Sequence, residues 1–560
     1  MGPDHHFDAP IGEESEWSAK IAAWSPEERR QQEKKLVRKI DVRLLPILFI
    51  MYILNYVDRN ALPQARVQGL EDDIGLQGVQ YNVVLSLTFI GYILWQVPSN
   101  MLLSKVGRPR YYIAGWMIAW GLVSGCSGAV QNFAGMAACR FFLGITEFVY
   151  SCQAGLSTLL TCPEHHSSLE LGLRLGFFFC AAMLSGVFGG LYAAGIAAAF
   201  ENHRIASWRW LFITEGAATV VFGAVTAFLI PDWPATTKWL KDDERALGVV
   251  RLIEDAGEEE EDIDTKAAAK MAIKDYRVWL CVLGQVSGLK SVSDFDTDLL
   301  MYRMQFCLQA VASMTNFLPT LVKNFGFNTI NTLLLTAPPY IFTVLVCIAN
   351  TWYSDRTSKR SLHITCPVLA AMVGIIITIA TTNIAARYFA LFIMLGGTYG
   401  SFQISNAWMG NISARPQKKR AIGLAMNNAI GNLAQVWTPY LYPESDGPRY
   451  TMGKSQPNRG LKVSCKDAQA NSHSAWSVNL ALCVVIVVST TALSFSLKSE
   501  NRKLNNIETD VELSQHENLG KDPPLAVVLD ITCLEHHGEH AIAGRRLGGR
   551  RIGATARYDT

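Results

Sequence analysis

Long apolar stretches recur along the chain and are separated by short polar segments. Lipid offers no partners for backbone N–H and C=O groups. Crossing roughly 30 Å of hydrocarbon at about 1.5 Å per residue therefore takes a helix of about 20 mostly apolar residues. By that measure the pattern predicts spans near residues 44–62, 81–103, 111–130, 133–160, 172–199 and 207–230. A second set follows near 304–322, 329–352, 363–381, 387–407, 421–440 and 475–497. A soluble protein of buried helices is the competing reading, and twelve such stretches in one chain weigh against it. The expected fold class is an all-α membrane protein with twelve transmembrane helices in two six-helix halves.

Composition agrees with the pattern. Half of the 560 residues are hydrophobic and 18% are charged, below the roughly 25% of an average soluble chain, and the charges gather between the apolar runs. The formal net charge of +2 averages basic segments near the spans with an acidic central loop, and nothing in it suggests a nucleic-acid partner. The 12 cysteines are scattered, with Cys126, Cys139, Cys152, Cys180, Cys347 and Cys483 inside predicted spans. No C-x-x-C or Cys/His ligand spacing occurs, so they read as small apolar packing residues, and no metal or cofactor is expected. The opening MGPDHHFDAP lacks a signal-peptide pattern, which leaves the first span to direct insertion.

The basic residues fall on one side of this topology. Lys34, Lys35, Arg38, Lys39 and Arg43 precede the first span, and Lys105, Arg108 and Arg110 follow the second. Arg356, Lys359 and Arg360 follow the eighth, and Arg415, Lys418, Lys419 and Arg420 the tenth, whereas Glu71, Asp72 and Asp73 follow the first. Positive residues favour the cytosolic face, which puts both termini in the cytosol. Residues 1–43 then form a cytosolic segment, 44–230 the first half, 231–275 a cytosolic linker, 276–498 the second half and 499–560 a cytosolic tail. The run Glu258 to Asp262 in the linker reads as a solvated charge cluster. Residues before Arg43 and after about Leu497 are expected to be disordered or peripheral. A contact of Arg545, Arg546, Arg550 and Arg551 with anionic lipid is the alternative for the tail.

A weak internal repeat supports two halves. Ser104-Lys105-Val106-Gly107-Arg108-Pro109-Arg110 follows the second span and Asp355-Arg356-Thr357-Ser358-Lys359-Arg360 the eighth, at equivalent places. Each resembles the cytoplasmic signature of the major facilitator superfamily, G-x-L-[AS]-D-[RK]-x-G-R-[RK]. Ser104 replaces its acidic residue in the first copy and Ser358 its second glycine in the other. Lys105, Gly107, Arg108, Asp355 and Arg356 are thus the expected conformational gating residues.

Longer strings sharpen the resemblance: Val57 to Asn60, Gly69 to Asp73, Trp95 to Asn100, Cys139 to Gly144, Trp208 to Gly216, Pro231 to Pro234 and Thr336 to Tyr340. In their order and spacing they resemble the fungal allantoate permease branch of the anion:cation symporter family, over roughly 40–500. The resemblance implies the major facilitator fold and uptake of a small organic anion such as allantoate, nicotinate or another carboxylated vitamin, commonly driven by protons. A multi-pass protein of the plasma membrane, acting as a monomer, is expected, and no enzyme activity, since no nucleophile-base constellation, phosphate-binding glycine loop or metal cluster appears in the sequence.

An ionisable side chain at mid-membrane costs at least about 2.5–3.5 kcal/mol, so such residues usually face a cavity and find a partner. Asp58 and Arg59 lie in the outer part of the first span. Arg140 and Glu147 lie in the fourth, seven residues apart and so on one helical face. Arginine's planar fork donates two parallel hydrogen bonds to a carboxylate, which makes Arg59 and Arg140 the substrate-binding candidates. Burial favours a neutral carboxyl and a nearby arginine the ionised one, so Asp58 and Glu147 suit proton coupling. The resemblance assigns an aspartate-arginine pair in the first helix and an arginine and a glutamate in the fourth the same roles. A solvated pair at a helix end remains open for Asp58 and Arg59. An inward snorkel or a structural salt bridge remains open for Arg140, as does a purely structural role for Glu147.

In the second half, Asn316, Gln403, Asn406 and Asn428 are further substrate-binding candidates, with Asn427 and Asn432 beside them. Interhelical hydrogen bonds of about 0.6–2 kcal/mol are the plainer reading for each. Gly186, Gly189, Gly190 and Gly195 read as sites of close helix packing. Two charged segments, 286–305 and 454–473, interrupt the pattern, and codons available to Gln285-Val286-Ser287 and Gly453-Lys454-Ser455 can spell splice donors. They read as intron-derived insertions.

The functional expectation is proton-coupled symport of a small organic anion by alternating access, with the solute, protons and the lipid bilayer as the only partners. The alternatives are a uniporter or exporter of a neutral solute, or a transporter-like nutrient sensor. The distribution of lysine and arginine generates a direct test. Tags at both termini and in the 231–275 loop should all be cytosolic, and protease access to either terminus from outside intact cells would contradict that.

Overall fold

The computed structural model describes residues 13–103, 109–147, 168–201, 203–230, 239–256, 297–357, 359–412, 417–442 and 475–499, with the single residues 237 and 502. The regular structure among them is helical. The helices in the predicted stretches are α1 Pro26–Val67, α2 Gln80–Leu103, α3 Pro109–Ser127, α4 Phe133–Glu147, α5 Ser168–Ala199, α6 Ser207–Leu229, α7 Thr297–Ala312, α8 Thr329–Thr357, α9 Arg360–Ala380, α10 Ile384–Ile412, α11 Gln417–Trp437 and α12 Ala475–Ser499. Among the described residues, six helices or parts of helices, in α1, α5, α6, α8, α9 and α12, are long and apolar enough by themselves to cross a membrane. α11 falls short because Lys418, Lys419 and Arg420 open it and Asn427, Asn428, Asn432 and Gln435 follow.

Most helices overrun the expected stretches, since helices continue beyond the hydrocarbon. α7 begins at Thr297, inside the stretch set apart as an insertion, and Met301, Met304 and Gln305 are buried. Ser405 donates to Gln305 Oε1 at 3.0 Å. Residues 286–296 and 454–473 lie outside the described residues. α7 tightens into a 3-10 turn at Ser313–Phe317 and resumes as a short helix, Leu318–Lys323.

The segment before Arg43 differs from expectation. It is neither disordered nor peripheral from Glu13 onward. A helix spans Glu13–Ala22, and Ser25 then starts α1 with a capping box, its hydroxyl accepting from the Glu28 amide while Glu28 accepts from the Ser25 amide at 3.1 Å. Such reciprocal caps satisfy two otherwise orphaned N–H groups. Leu36, Ile40 and Leu44 follow at four-residue spacing and bury one face against Ile21 and against Ala246, Leu247 and Val250. The last three belong to a helix at Asp242–Ala256, in the middle of the linker. Lys39 bonds Glu244, Lys20 pairs with Asp243, and the Arg43 guanidinium sits 4.3 Å from the Trp239 ring centre. Burial pushes the Glu244 carboxyl up, yet hydrogen bonds from Lys39 and the Lys241 amide hold it below its ordinary value. The linker is thereby tied to the first half. The acidic run at 258–262 and the arginines of the tail lie outside the described residues.

Within the first half α3 packs on α6, α2 on α4 and α1 on α5; within the second α7 packs on α11, and α10 on both α8 and α9. The halves meet mainly along α5–α8 and α2–α11. Gly190 allows the first of these approaches: a Cβ there would lie 2.6 Å from Thr336 Oγ1. Gly195, expected to act similarly, stands in open space, where a Cβ would meet nothing within 4 Å among the described residues.

Prolines inside helices leave the carbonyl four residues earlier without its amide, and in lipid another donor must replace it. Pro339 does this to Leu335, whose carbonyl accepts from Tyr388 Oη of α10 at 3.0 Å. Pro367 does it to His363, whose carbonyl accepts from Asn350 Nδ2 of α8 at 2.9 Å. These bonds tie α8, α9 and α10 into one unit. Tyr388→Phe removes the donor and leaves the carbonyl unsatisfied, which should lower stability by about 1–3 kcal/mol. Thermal unfolding of the purified protein reads this, and an unchanged midpoint would show that the Leu335 carbonyl does not depend on Tyr388.

Candidate functional site

The ionisable residues of the first half converge on one buried cluster. Arg140 and Glu147 share a face of α4, and Gly144 between them sits so close to α2 that a Cβ would lie 2.0 Å from the Thr88 carbonyl oxygen. On α6, Gly216 also packs closely on α3, where its Cβ would meet Gly125 N at 2.5 Å. Small residues at both contacts draw the helices together and bring α1, α3, α4 and α6 around one interior.

Asp58 is 1% exposed and well before the end of α1 at Val67, so it is not a solvated residue at a helix end. Its Oδ1 accepts from Ser124 Oγ of α3 at 2.6 Å, and its Oδ2 from Thr219 Oγ1 of α6 at 3.4 Å. Arg59 does not pair with its neighbour. Its Nε donates to Glu147 Oε2 at 2.7 Å, and its guanidinium lies 5.2 Å and 5.0 Å from the ring centres of Tyr56 and Tyr92.

Arg140 is 2% exposed. Its Nη1 donates to the Asp58 backbone carbonyl at 3.5 Å, and its guanidinium lies 5.1 Å from the Phe212 ring centre. Nε and Nη2 have no partner among the described residues. Those two N–H groups form the side-on edge of the guanidinium, the edge that holds a carboxylate through two parallel hydrogen bonds.

One member of the cluster escaped the sequence reading. Glu215 of α6 is 5% exposed, and both its oxygens are buried without a partner among the described residues. Arg140 and Asp58 are the charges that act on it. The signal was present, an acid within the apolar run Leu211 to Val221, and the test applied to Glu147 finds it equally.

The second-half candidates form separate contacts. Asn428 Nδ2 donates across the interface to Tyr92 Oη at 3.1 Å, and so reaches the ring beside Arg59. Asn316, in the 3-10 turn after α7, donates to Gln435 Oε1 at 3.2 Å. Asn406 bonds the Phe402 carbonyl of its own helix and accepts from Asn427 at 3.4 Å. Gln403 accepts from Thr351 at 3.3 Å, and with Thr351, Ser354, Asp355 and Arg360 it lines a small cleft at the end of α8. Of the gating residues, Arg356 lies over the Trp352 ring and Asp355 lines that cleft, which Arg360 borders by donating to the Ala407 carbonyl at 2.9 Å. Lys105, Gly107 and Arg108 lie outside the described residues.

A charged cluster held between membrane helices of one half, with one hydrogen bond to the other, suits a solute site that two halves share. The Major Facilitator Superfamily model matches residues 48–439. The MFS-type transporter cnsO of Penicillium expansum is 31% identical over 440 residues, which cover 75% of this chain and 79% of that protein. The major facilitator-type transporter hxnP of Emericella nidulans is 29% identical, over 75% and 81%. The chain also shares its fold with a D-xylose-proton symporter at a TM-score of 0.56 and 13% identity, over 81% of this chain and 97% of that one. A bacterial homologue of the human lysosomal transporter Spinster, in an inward-facing and unoccupied conformation, aligns at a TM-score of 0.53 and 13% identity, over 82% and 96%. This chain belongs to the major facilitator superfamily: it is a multi-pass membrane protein, a transmembrane transporter and not an enzyme.

Proposed function

We propose that the protein carries a small organic monoanion into the cell together with a proton, by alternating access between two halves of six transmembrane helices each. The observation that carries this reading is the side-on edge of Arg140, buried at membrane depth and without a partner among the described residues. A buried guanidinium with two open donors is costly, and a carboxylate is the group that satisfies both at once. The strings from Val57 to Tyr340 support the allantoate permease branch, and with it allantoate, nicotinate or another carboxylated vitamin as the solute. The positive-inside pattern supports cytosolic termini, and the reading takes the protein as a monomer of the plasma membrane.

Alternating access has a physical basis in the interface. Lys323 Nζ donates to the Val67 carbonyl at 2.9 Å, and Ser86 Oγ to the Val436 carbonyl at 2.7 Å. Both bonds join the halves where α1 and α11 end and α2 begins, the outer side under the positive-inside orientation. On this reading the two bonds help to hold the outer side together, and rocking of the halves must break both to admit solute from outside. Proton coupling falls to a buried acid of the cluster, for which Asp58 and Glu147 are the candidates from sequence.

Arg140→Lys keeps the charge but loses the fork. One charge-assisted hydrogen bond is worth about 1.5–3 kcal/mol, so KM for the anion should rise about 10- to 100-fold. Radiotracer uptake of nicotinate and allantoate, at matched surface expression, measures it. Uptake by the unaltered protein should increase as external pH falls and collapse with a protonophore. Normal uptake by Arg140→Ala would remove the residue from the site, and uptake indifferent to pH and protonophore would remove the coupling.

A further inference from the structure

Three carboxyls and two guanidinium groups share the interior of the first half: Asp58, Glu147 and Glu215 with Arg59 and Arg140. With every group ionised, three negative charges and two positive ones leave a single negative charge in excess. The hydrogen bonds show where it falls. Asp58 accepts from two hydroxyls, and Glu147 accepts from Arg59 through Oε2, its Oε1 having no partner among the described residues. Glu215 accepts from nothing among the described residues, although both its oxygens are buried.

An ionised carboxylate without donors in such surroundings is far more costly than a neutral carboxylic acid. Elements packed on α6 supply the groups that face it. α1 brings Asp58, which Ser124 of α3 holds by a hydrogen bond, and α5 the phenol of Tyr192, while Arg140 acts from α4. Tyr81 of α2 and Glu147 act in turn on Arg140. None of these donates a hydrogen bond to Glu215.

We infer that Glu215 is the residue that carries the transported proton. In the step that involves solute, this rests on the role proposed for Arg140. When the solute's carboxylate occupies Arg140, Glu215 keeps its O–H bond and the acid is neutral. When the solute leaves toward the cytosol, that O–H bond breaks, the proton passes to cytosolic water, and the carboxylate formed becomes the counter-charge of Arg140. The reverse occurs at the outer side, where a proton returns to Glu215 as the next anion takes Arg140. With Asp58 and Glu147 ionised throughout, the loaded cluster (monoanion plus neutral Glu215) and the empty one (ionised Glu215) each sum to one negative charge. The two states that cross the membrane therefore bury equal charge, and transport of one anion with one proton is electroneutral. Asp58 and Glu147 are then fixed counter-charges, one oriented by hydroxyls and the other by Arg59.

Infrared difference spectroscopy of the purified full-length protein, titrated between acidic and alkaline buffer without any solute, reads the acid directly. A buried carboxylic C=O band that disappears on alkalinisation should be present in the unaltered protein, absent in Glu215→Gln, and retained in Glu215→Asp and Glu147→Gln. Size-exclusion profiles identify any variant that fails to fold, and Glu215→Asp keeps the test open if Glu215→Gln is one. Persistence of the band in folded Glu215→Gln, or its absence from the unaltered protein, would overturn the inference. In vesicles, nicotinate accumulation driven by a pH gradient should be lost in Glu215→Gln, and accumulation equal to that of the unaltered protein would overturn it as well. The infrared result needs no solute, so it stands apart from any failure of the Arg140 reading, which the uptake of Arg140→Ala decides.

Discussion

A guanidinium at membrane depth cannot release its charge, so every element near Arg140 must answer it. Helix α4 holds it inside through the backbone contact at Gly144, α1 offers the Asp58 carbonyl, and α6 offers the face of Phe212. None of these neutralises the charge. The compensating acids come from three helices, Asp58 on α1, Glu147 on α4 and Glu215 on α6. This need explains why hydroxyls and glycines cluster where those helices meet: Ser124 and Thr219 orient Asp58, while Gly216 brings α6 against α3. The interactions that hold the first half together are thus the ones the proposed transport chemistry uses.

The second half meets a milder constraint by neutral means. Apart from Arg360 and His363, its buried polar groups among the described residues are amides and hydroxyls, and two side-chain bonds satisfy carbonyls that prolines leave open, from Tyr388 to Leu335 and from Asn350 to His363. Such a half can be a well-bonded body that moves as a unit. The two halves communicate through Asn428 and Tyr92, the ring beside Arg59, which itself pairs with Glu147. Arg59 is therefore separated from the interface by a single ring.

Much of the architecture is legible in hydropathy, because lipid forces each span to be long, apolar and helical. The burial of Arg140 and Glu147 on one face was legible too, since seven residues make almost two turns. Their partners were not. Spacing along one helix shows which residues share a face, whereas the pairing of Glu147 with Arg59 depends on how α1 and α4 are packed. Glu215 was hidden within a string that served only for resemblance. The N-terminal helices were missed for another reason: their apolar face, Leu36, Ile40 and Leu44, is narrow and lies among charges, and its partner helix Asp242–Ala256 is some two hundred residues away.

The central claim is that a buried Arg140 edge receives a carboxylate, and it is tested most directly by matched pairs of ligands that differ only in that group. Thermal stabilisation of the purified protein should be measured with nicotinate, pantothenate and biotin, each against its neutral amide. At least one carboxylate should raise the unfolding temperature while its amide does not, and the effect should vanish in Arg140→Ala. Equal stabilisation by acid and amide, or stabilisation that survives in Arg140→Ala, would contradict the account.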